Sequence, residues 1–253
     1  MSRPVLAAVL LLFAPTFAIA QAGDTKPAAT QQDPQAAYDE LAKAFGKAVS
    51  DWQTEARAAQ QAGKKLPPPP TKEFIGQAQE LAATYAGKDD AVRFLTFIVK
   101  SAANERNAVK KAIETLASDH AKSKAIGDVL PFLGNAMRFG AQQQVLALLD
   151  QVATEHTDAD CKAQALLVRG GIRLQSAQTD DARKEAEKDL REVAKLTKNE
   201  ELLTQAKDAL FEIEHLQVGC TAPEIAGVDV EGVPFKLSDY RGKVVLLDFW
   251  GFW

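Results

Sequence analysis

Apolar residues recur at every third or fourth position over most of the chain, which is the spacing that lays a stripe along one face of an α-helix. The first such segment follows Asp33 and Pro34, an N-cap residue and a proline at the first helical position. Its stripe consists of Tyr38, Leu41, Phe45, Ala48, Val49 and Trp52. The pattern predicts a helix that ends near Gly63.

More amphipathic segments follow a spacer at Pro67–Pro70, which the proline run keeps extended and stiff. Thr71 begins a second predicted helix, with Gly87 as its C-cap. The later predicted helices cover roughly residues 90–103, 105–121, 124–139, 141–156, 159–176, 180–197 and 199–216. Each is short and apolar on one face, so these helices must pack on neighbours in a bundle or a solenoid. The predicted fold class is mainly α, with an all-helical domain at 34–217.

Small residues and charges refine this picture. The run 163–171 resembles one helix pair of a tetratricopeptide-like repeat, although no 34-residue period is in register. Acidic and basic residues alternate at helical pair spacing over 180–191, which indicates a solvated face. The 44 alanines, about one residue in six, favour helix over sheet. Such an array could supply a docking surface for a protein partner.

The pattern changes near Val218, where glycine and proline become frequent. The runs Val228–Val230 and Pro234–Leu237 predict two strands around a turn at Glu231 and Gly232. A polar turn at 238–243 leads into an apolar run, 244–250, which only Asp248 interrupts. Such a run is typical of a central strand buried on both faces of a mixed or parallel sheet.

The first 20 residues have the three parts of a secretory signal peptide: Arg3, the apolar run Val5–Phe13, and a small-residue cleavage site at 18–20. Residues 21–33 are small and polar and predict a flexible leader. The apolar run is too short to span a bilayer, and no later run reaches 18 apolar residues. We therefore expect export to a periplasmic or other extracytoplasmic compartment, without a membrane span after signal cleavage. Thiol chemistry there means making, breaking or shuffling disulfides.

Composition excludes several classes of function. The net charge is −4, from 30 basic and 34 acidic residues without a basic block, so nucleic-acid binding is not expected. Two cysteines and three histidines are too few for a disulfide scaffold or a zinc cluster. His120, His156 and His215 lack the short spacing that places two imidazoles on one metal ion. No metal, cofactor or catalytic cluster is predicted in the helical array.

The final 36 residues, 218–253, carry a specific resemblance. The residues that carry it are Gly219-x-x-Ala222-Pro223-Glu224-Ile225, Asp229-x-x-Gly232 and Leu237-Ser238-Asp239-Tyr240-Arg241-Gly242-Lys243-Val244-Val245-Leu246-Leu247-Asp248-Phe249-Trp250. They closely resemble the start of the thioredoxin-like domain of TlpA/ResA-type proteins, which share the alkyl hydroperoxide reductase/thiol-specific antioxidant profile. The motif-bearing positions are Pro223, Gly242, Asp248, Phe249, Trp250 and Trp253. In that family the stretch matching 249–253 directly precedes the first cysteine of a Cys-x-x-Cys pair.

The resemblance implies an exported thiol-disulfide oxidoreductase. A strand delivers the first cysteine to a helix N-terminus, where the dipole lowers the thiol pKa. The thiolate attacks a substrate disulfide, and the second cysteine resolves the mixed disulfide. The implied partners are protein thiols or disulfides and an unknown thiol reductant. Trp253 would lie beside the pair and Asp248 on the strand beneath it, but the proton-transfer role of a buried acid in some members is not assigned to Asp248.

Because the sequence ends at Trp253, we expect no catalytic residue within it. Three explanations compete: an incomplete or frameshifted gene model, a real truncation, and a UGA codon for selenocysteine read as a stop. A truncation would leave a helical binding module with a non-catalytic thioredoxin-like remnant. We expect segment 244–253 to be exposed and prone to aggregation or proteolysis, because the strands that would cover it are missing.

Cys161 and Cys220 do not replace the redox pair. Cys161 falls in a predicted helix as a small buried hydrophobe, and Cys220 occupies a variable position of the family. A disulfide between them stays open, because sequence does not show whether they approach each other. Peroxide reduction, the alternative activity under the same profile, would need a differently placed cysteine.

Overall fold

The computed structural model describes residues 33–101 and 105–251. The predicted signal peptide, most of the leader, and Trp253 lie outside the described residues. Within the described part the chain is mainly helical, as predicted, and forms nine α-helices. They are Pro34–Gln61 (α1), Thr71–Thr84 (α2), Asp90–Ser101 (α3), Arg106–His120 (α4), Leu133–Ala136 (α5), Gln142–Glu155 (α6), Ala159–Ser176 (α7), Asp180–Leu196 (α8) and Glu200–His215 (α9).

Side-chain caps begin the last three helices. The Asp158 carboxylate accepts the backbone N–H of Cys161 at 2.8 Å at the start of α7, and Thr179 caps α8 in the same way. Asn199 accepts two backbone N–H groups at the start of α9. These short polar residues satisfy amide groups that have no partner within the helix, which fixes where each helix begins.

The predicted spacer is confirmed, whereas the predicted C-cap of α2 is not. Residues 64–69 are non-helical, as predicted for the proline run, and the indole N–H of Trp52 donates to the Pro67 carbonyl at 3.0 Å. The α2 helix ends at Thr84, and Gly87 lies three residues later with φ of 74°. Gly87 therefore supplies the left-handed residue of the α2–α3 turn rather than the cap itself.

The prediction of one helix over 124–139 is wrong. This segment consists of 3₁₀ turns at Ile126–Asp128, Leu130–Phe132 and Met137–Phe139 around the four-residue α5. Pro131 removes a backbone donor, and Gly127 and Gly134 lower helix propensity on either side of it. The apolar side chains still reach the core, because the pattern was right about burial and wrong about regular helical geometry.

Successive helices pack on one another along the chain: α2 on α3, α3 on α4, α4 on α6, and then each of α6 to α9 on the next. The main core runs from α1 to α7, and its largest fully buried side chains include Phe94, Ile98, Ile113, Leu116, Leu148 and Leu149. A second core joins α7, α8 and α9 around Leu190 and Val193. Of the two predicted arrangements, sequential packing is the one typical of a solenoid.

The small-residue run 163–171 lies at the contact between α7 and α8. Gly170 is buried there, and a Cβ atom on it would lie 2.9 Å from Cγ of Leu190 and 3.3 Å from the Ala186 carbonyl oxygen. The absence of a side chain at Gly170 therefore lets the two helices approach closely.

The predicted hairpin forms, but its first strand lies two residues earlier than predicted and its second strand is one residue shorter. The strand β1 covers Ala226–Val228 and pairs antiparallel with β2, Pro234–Lys236. The first strand stops at Val228 because the Asp229 carboxylate accepts the backbone N–H groups of Glu231 and Val233, at 3.0 and 2.8 Å. This Asx-type turn, with Gly232 at φ of 81°, takes Asp229 and Val230 out of the predicted first strand.

The predicted central strand at 244–250 does not form in this structure. Its residues pair with no strand in the described part of the chain, and Val244, Leu246 and Phe249 are 102%, 91% and 84% exposed. A buried strand needs hydrogen-bonding neighbours and covered faces, and the described residues supply neither. The exposure agrees with the expectation for this sequence as it stands, and a thioredoxin-like sheet is not part of the described structure.

Candidate functional site

The motif-bearing residues fall into two groups. Pro223 is half-buried, and Gly242 has φ of 80° in the turn that precedes segment 244–250, a conformation that favours glycine. Asp248, Phe249 and Trp250 are exposed on that segment. The structure thus forms the hairpin and turn of the motif and leaves the part nearest the expected redox pair uncovered.

Acidic side chains hold the hairpin region together. One carboxylate oxygen of Glu224 accepts the backbone N–H groups of Ile225 and Ser238, at 3.2 and 3.0 Å. The hydroxyl and the backbone N–H of Ser238 lower the pKa of the Glu224 carboxyl. Asp239 accepts the backbone N–H of Lys236 at 2.8 Å. Glu224 and Asp239 belong to the sequence motif, but the motif alone gives no sign of this bracing role.

Both cysteines are free in this structure, so the disulfide left open by the sequence is not present. Cys220 is exposed, with its sulfur 3.5 Å from the Glu214 carbonyl oxygen. Cys161 is half-buried near the start of α7, partly as predicted, and packs against the main core. Neither has a cysteine partner with which to form a redox pair.

His156, Asp158 and Cys161 form a cluster that the sequence analysis missed. Their potential metal-binding atoms all lie within 4.8 Å of one another. The spacing of the three histidines to one another gives no sign of this cluster. The overlooked signal is the short spacing of three different ligand types, His-x-Asp-x-x-Cys.

Hydrogen bonds already engage this cluster. Nδ1 of His156 accepts the Asp158 backbone N–H at 3.0 Å, so we assign the ring proton to Nε2, which lies 3.1 Å from the Ser123 carbonyl oxygen. Burial, followed by the nearby charge of Asp158, raises the pKa of the Cys161 thiol. A metal ion would have to break the hydrogen bond from the Asp158 backbone N–H to Nδ1 of His156 and to displace the proton of the Cys161 thiol. The arrangement is therefore suited to bracing the start of α7 rather than to nucleophilic chemistry.

This environment predicts unequal thiol reactivity. At pH 8 we expect iodoacetamide to label Cys220 at least several-fold faster than Cys161, because the raised pKa and burial of Cys161 keep it a protonated thiol. Asp158→Asn should speed labelling of Cys161 by removing the charge that disfavours its thiolate. Peptide mass spectrometry over pH 7–9 measures both rates. Faster labelling of Cys161 than of Cys220 in the native protein would contradict the structural role.

No helix in the described residues is both long enough and apolar enough to cross a bilayer.

Comparisons with known proteins give short matches to one group of enzymes. A stretch of 36 residues is 56% identical to the thiol-disulfide oxidoreductase ResA of Geobacillus kaustophilus. This stretch makes up 14% of this chain and 21% of the relative. Stretches of 40 residues are 42% and 45% identical to the ResA proteins of Bacillus thuringiensis subsp. konkukian and Bacillus anthracis, covering 16% of this chain and 23% of each relative.

The matches cover little of either protein. The chain spans only about a fifth of the length of these curated relatives. No family model matches the chain. No solved structure matches it either. What the comparisons support is a local relationship to thioredoxin-like thiol-disulfide oxidoreductases.

Proposed function

We propose that residues 218–253 begin the thioredoxin-like domain of an exported thiol-disulfide oxidoreductase. The observation that carries the proposal is the 36-residue match to ResA at 56% identity, together with the TlpA/ResA-type motif that residues 218–253 contain. The exposed apolar side chains of 244–250 support it, because the remaining strands and helices of such a domain would cover them. Export rests on the signal-peptide pattern of residues 1–20.

The proposed reaction needs a redox pair directly after Trp253, with cysteine or selenocysteine as its first member. The deprotonated nucleophile attacks one sulfur of a substrate disulfide, and the other sulfur leaves as a thiolate. The second cysteine then attacks the mixed bond, releases the reduced substrate and closes the enzyme's own bond. An external thiol reductant supplies the two electrons that reopen it. Trp253 would lie against this pair.

A segment exchange tests the proposal. The 36 matched residues of Geobacillus kaustophilus ResA would be replaced by residues 218–253 of this chain, and insulin reduction would be measured with a dithiol reductant. We expect the hybrid to fold and to reduce insulin. A matched hybrid carrying Leu247→Lys should fail, because it places a charge in the buried strand. A hybrid that folds without activity, or one that tolerates Leu247→Lys, would contradict the proposal.

The gene beyond codon 253 provides an independent test. An in-frame UGA followed by codons for a Gly-Pro-Cys-like continuation supports selenocysteine, and a cysteine codon supports a longer conventional enzyme. A UAA or UAG codon removes both forms of the proposal. Where the frame continues, the extended protein should reduce insulin, and replacing its first redox residue by serine should abolish the reduction.

Removing the C-terminal segment should make the protein more soluble. Both helical cores consist of residues from 37 to 206, so a chain ending at Gln217 keeps them complete. It loses the exposed apolar side chains of 244–250, a large apolar surface of the kind that promotes association. We expect less light scattering and slower proteolysis than for residues 21–253. Equal solubility of the two chains would contradict this prediction.

Neither helical core includes a residue of 218–253. This independence favours a second candidate function, a helical binding module that works without the C-terminal segment. The two candidates differ in what they require. Capture of a partner by the chain ending at Gln217 supports the module, whereas disulfide reductase activity requires the extended domain.

A further inference from the structure

A cleft of about 280 Å³ lies between α2, α3 and α4. Its lining includes Leu95 and Ile98 of α3 and small residues of α2 and α4. The apolar lining residues are Ala82, Ala83, Ala86, Ala91, Leu95, Ile98, Ala108 and Ala112. Because most of these side chains are single methyl groups, they leave space where larger residues would have filled the groove.

His120 supplies the polar feature of this cleft. It is the last residue of α4, is only 4% exposed, and lines the cleft. Neither ring nitrogen of His120 forms a hydrogen bond with a described residue. Neither nitrogen is completely buried, so a molecule in the cleft can reach the ring. His156 makes the contrast clear, since it is equally buried and both of its nitrogens have protein partners.

The surroundings restrict the group that His120 can bind. Asp119 lies beside it and disfavours an anion at this end of the cleft. The Thr115 hydroxyl donates to the Lys111 carbonyl. Lys111 lies nine residues earlier on α4, about 13.5 Å along the helix axis, and so does not set the charge near His120. A neutral hydroxyl or carbonyl oxygen can pair with the imidazole without placing a charge against the apolar side chains of the cleft.

Size and lining restrict the rest of the ligand. The cleft volume of about 280 Å³ is just below the usual range for small-molecule pockets, about 300–1,000 Å³, which restricts the ligand to a body of one ring. Eight of its thirteen lining residues are apolar, and Gln79, Lys111, Thr115, Asp119 and His120 are polar. We propose that this cleft binds a small uncharged aromatic or alicyclic molecule whose hydroxyl or carbonyl group forms a hydrogen bond with His120. The proposal does not depend on the oxidoreductase function.

A matched pair of probes tests this site. p-Cresol and toluene differ only in the hydroxyl group, and both can be titrated into the ¹⁵N-labelled protein while amide shifts are followed by NMR. We expect p-cresol to shift residues of α2, α3 and α4 and to bind at least about tenfold more tightly than toluene, because its hydroxyl can form a hydrogen bond with the His120 ring and toluene has no group that can. Equal affinity for the two probes, or absence of binding, would overturn the proposal.

Variants locate the binding. Ala83→Phe places a ring in the cleft from an exposed position of α2 and should abolish binding of both probes. Ala58→Phe, at an exposed position of α1 outside the cleft, is the control and should leave binding unchanged. His120→Phe should remove the preference for p-cresol over toluene. If Ala83→Phe retains p-cresol binding, the ligand lies elsewhere, for example on 244–250, and the assignment is wrong.

Discussion

Replacing Asp189 by alanine is expected to destabilise the helical array by about 3–5 kcal/mol, the cost of leaving a buried charge without its partner. The Asp189 side chain is 5% exposed. Its two oxygens accept hydrogen bonds from Arg169 at 2.6 and 2.8 Å, and Arg173 adds a contact at 2.8 Å. The side chain thus pairs with two arginines of α7 from its position on α8.

The cost is large because Arg169 has little access to water. Its side chain is 13% exposed. A guanidinium stays protonated at neutral pH without a partner, so Arg169 remains charged when the carboxylate is removed. Asp150 of α6 also contacts Arg169, at 2.6 Å, but that carboxylate is 57% exposed and cannot replace the bidentate pair. The loss should therefore be felt at the α7–α8 contact.

Urea unfolding followed by circular dichroism measures the effect, with the chain ending at Gln217 as the background. Asp181→Ala is the matched control, since Asp181 is on the same helix, and its contact with Lys184 is between side chains that are 93% and 72% exposed. This control should change the free energy of unfolding by less than about 1 kcal/mol. A loss below 1 kcal/mol for Asp189→Ala would show that the arginines find other partners.

Apolar periodicity predicted the helices well because each one packs a single face on its neighbours. It failed over 124–139, where Pro131 and flanking glycines break the backbone while the apolar side chains remain buried. Asp189 illustrates a different limit. Its segment was interpreted as a solvated face, yet Asp189 is buried because α7 presents two arginines to it, a pairing that only the packing of two helices can show.

The same limit applied to the candidate sites. The hairpin was predictable because its turn residues act locally, as Asp229 and Gly232 do. His120 is a candidate ligand-binding residue because no described residue of the other helices forms a hydrogen bond with its ring. No local sequence pattern contains that information. The central strand at 244–250 could be anticipated from its apolar pattern, but burial requires neighbours that the described residues do not provide.

Adjacent glycines on α7 provide the second prediction, because they face different surroundings. Gly170→Ala is expected to destabilise the protein by about 1–3 kcal/mol, since its new Cβ would lie 2.9 Å from Leu190 and would push α7 and α8 apart. Gly171 has no atom within 4 Å of the corresponding position. Gly171→Ala should therefore stabilise the helix by up to about 1 kcal/mol through its higher helix propensity.

Thermal and urea unfolding of the two variants, compared with the parent chain, measures the difference directly. Helix propensity is common to both substitutions, so a difference of opposite sign isolates the helix contact at Gly170. Leu190→Ala alone should be destabilising because it removes a fully buried side chain. Added to Gly170→Ala, it should cost less stability than it does alone, because it also removes the clash with the new Cβ. Equal stabilisation by Gly170→Ala and Gly171→Ala would show that α7 and α8 do not approach each other closely at Gly170. The small-residue run would then favour helix formation rather than helix packing.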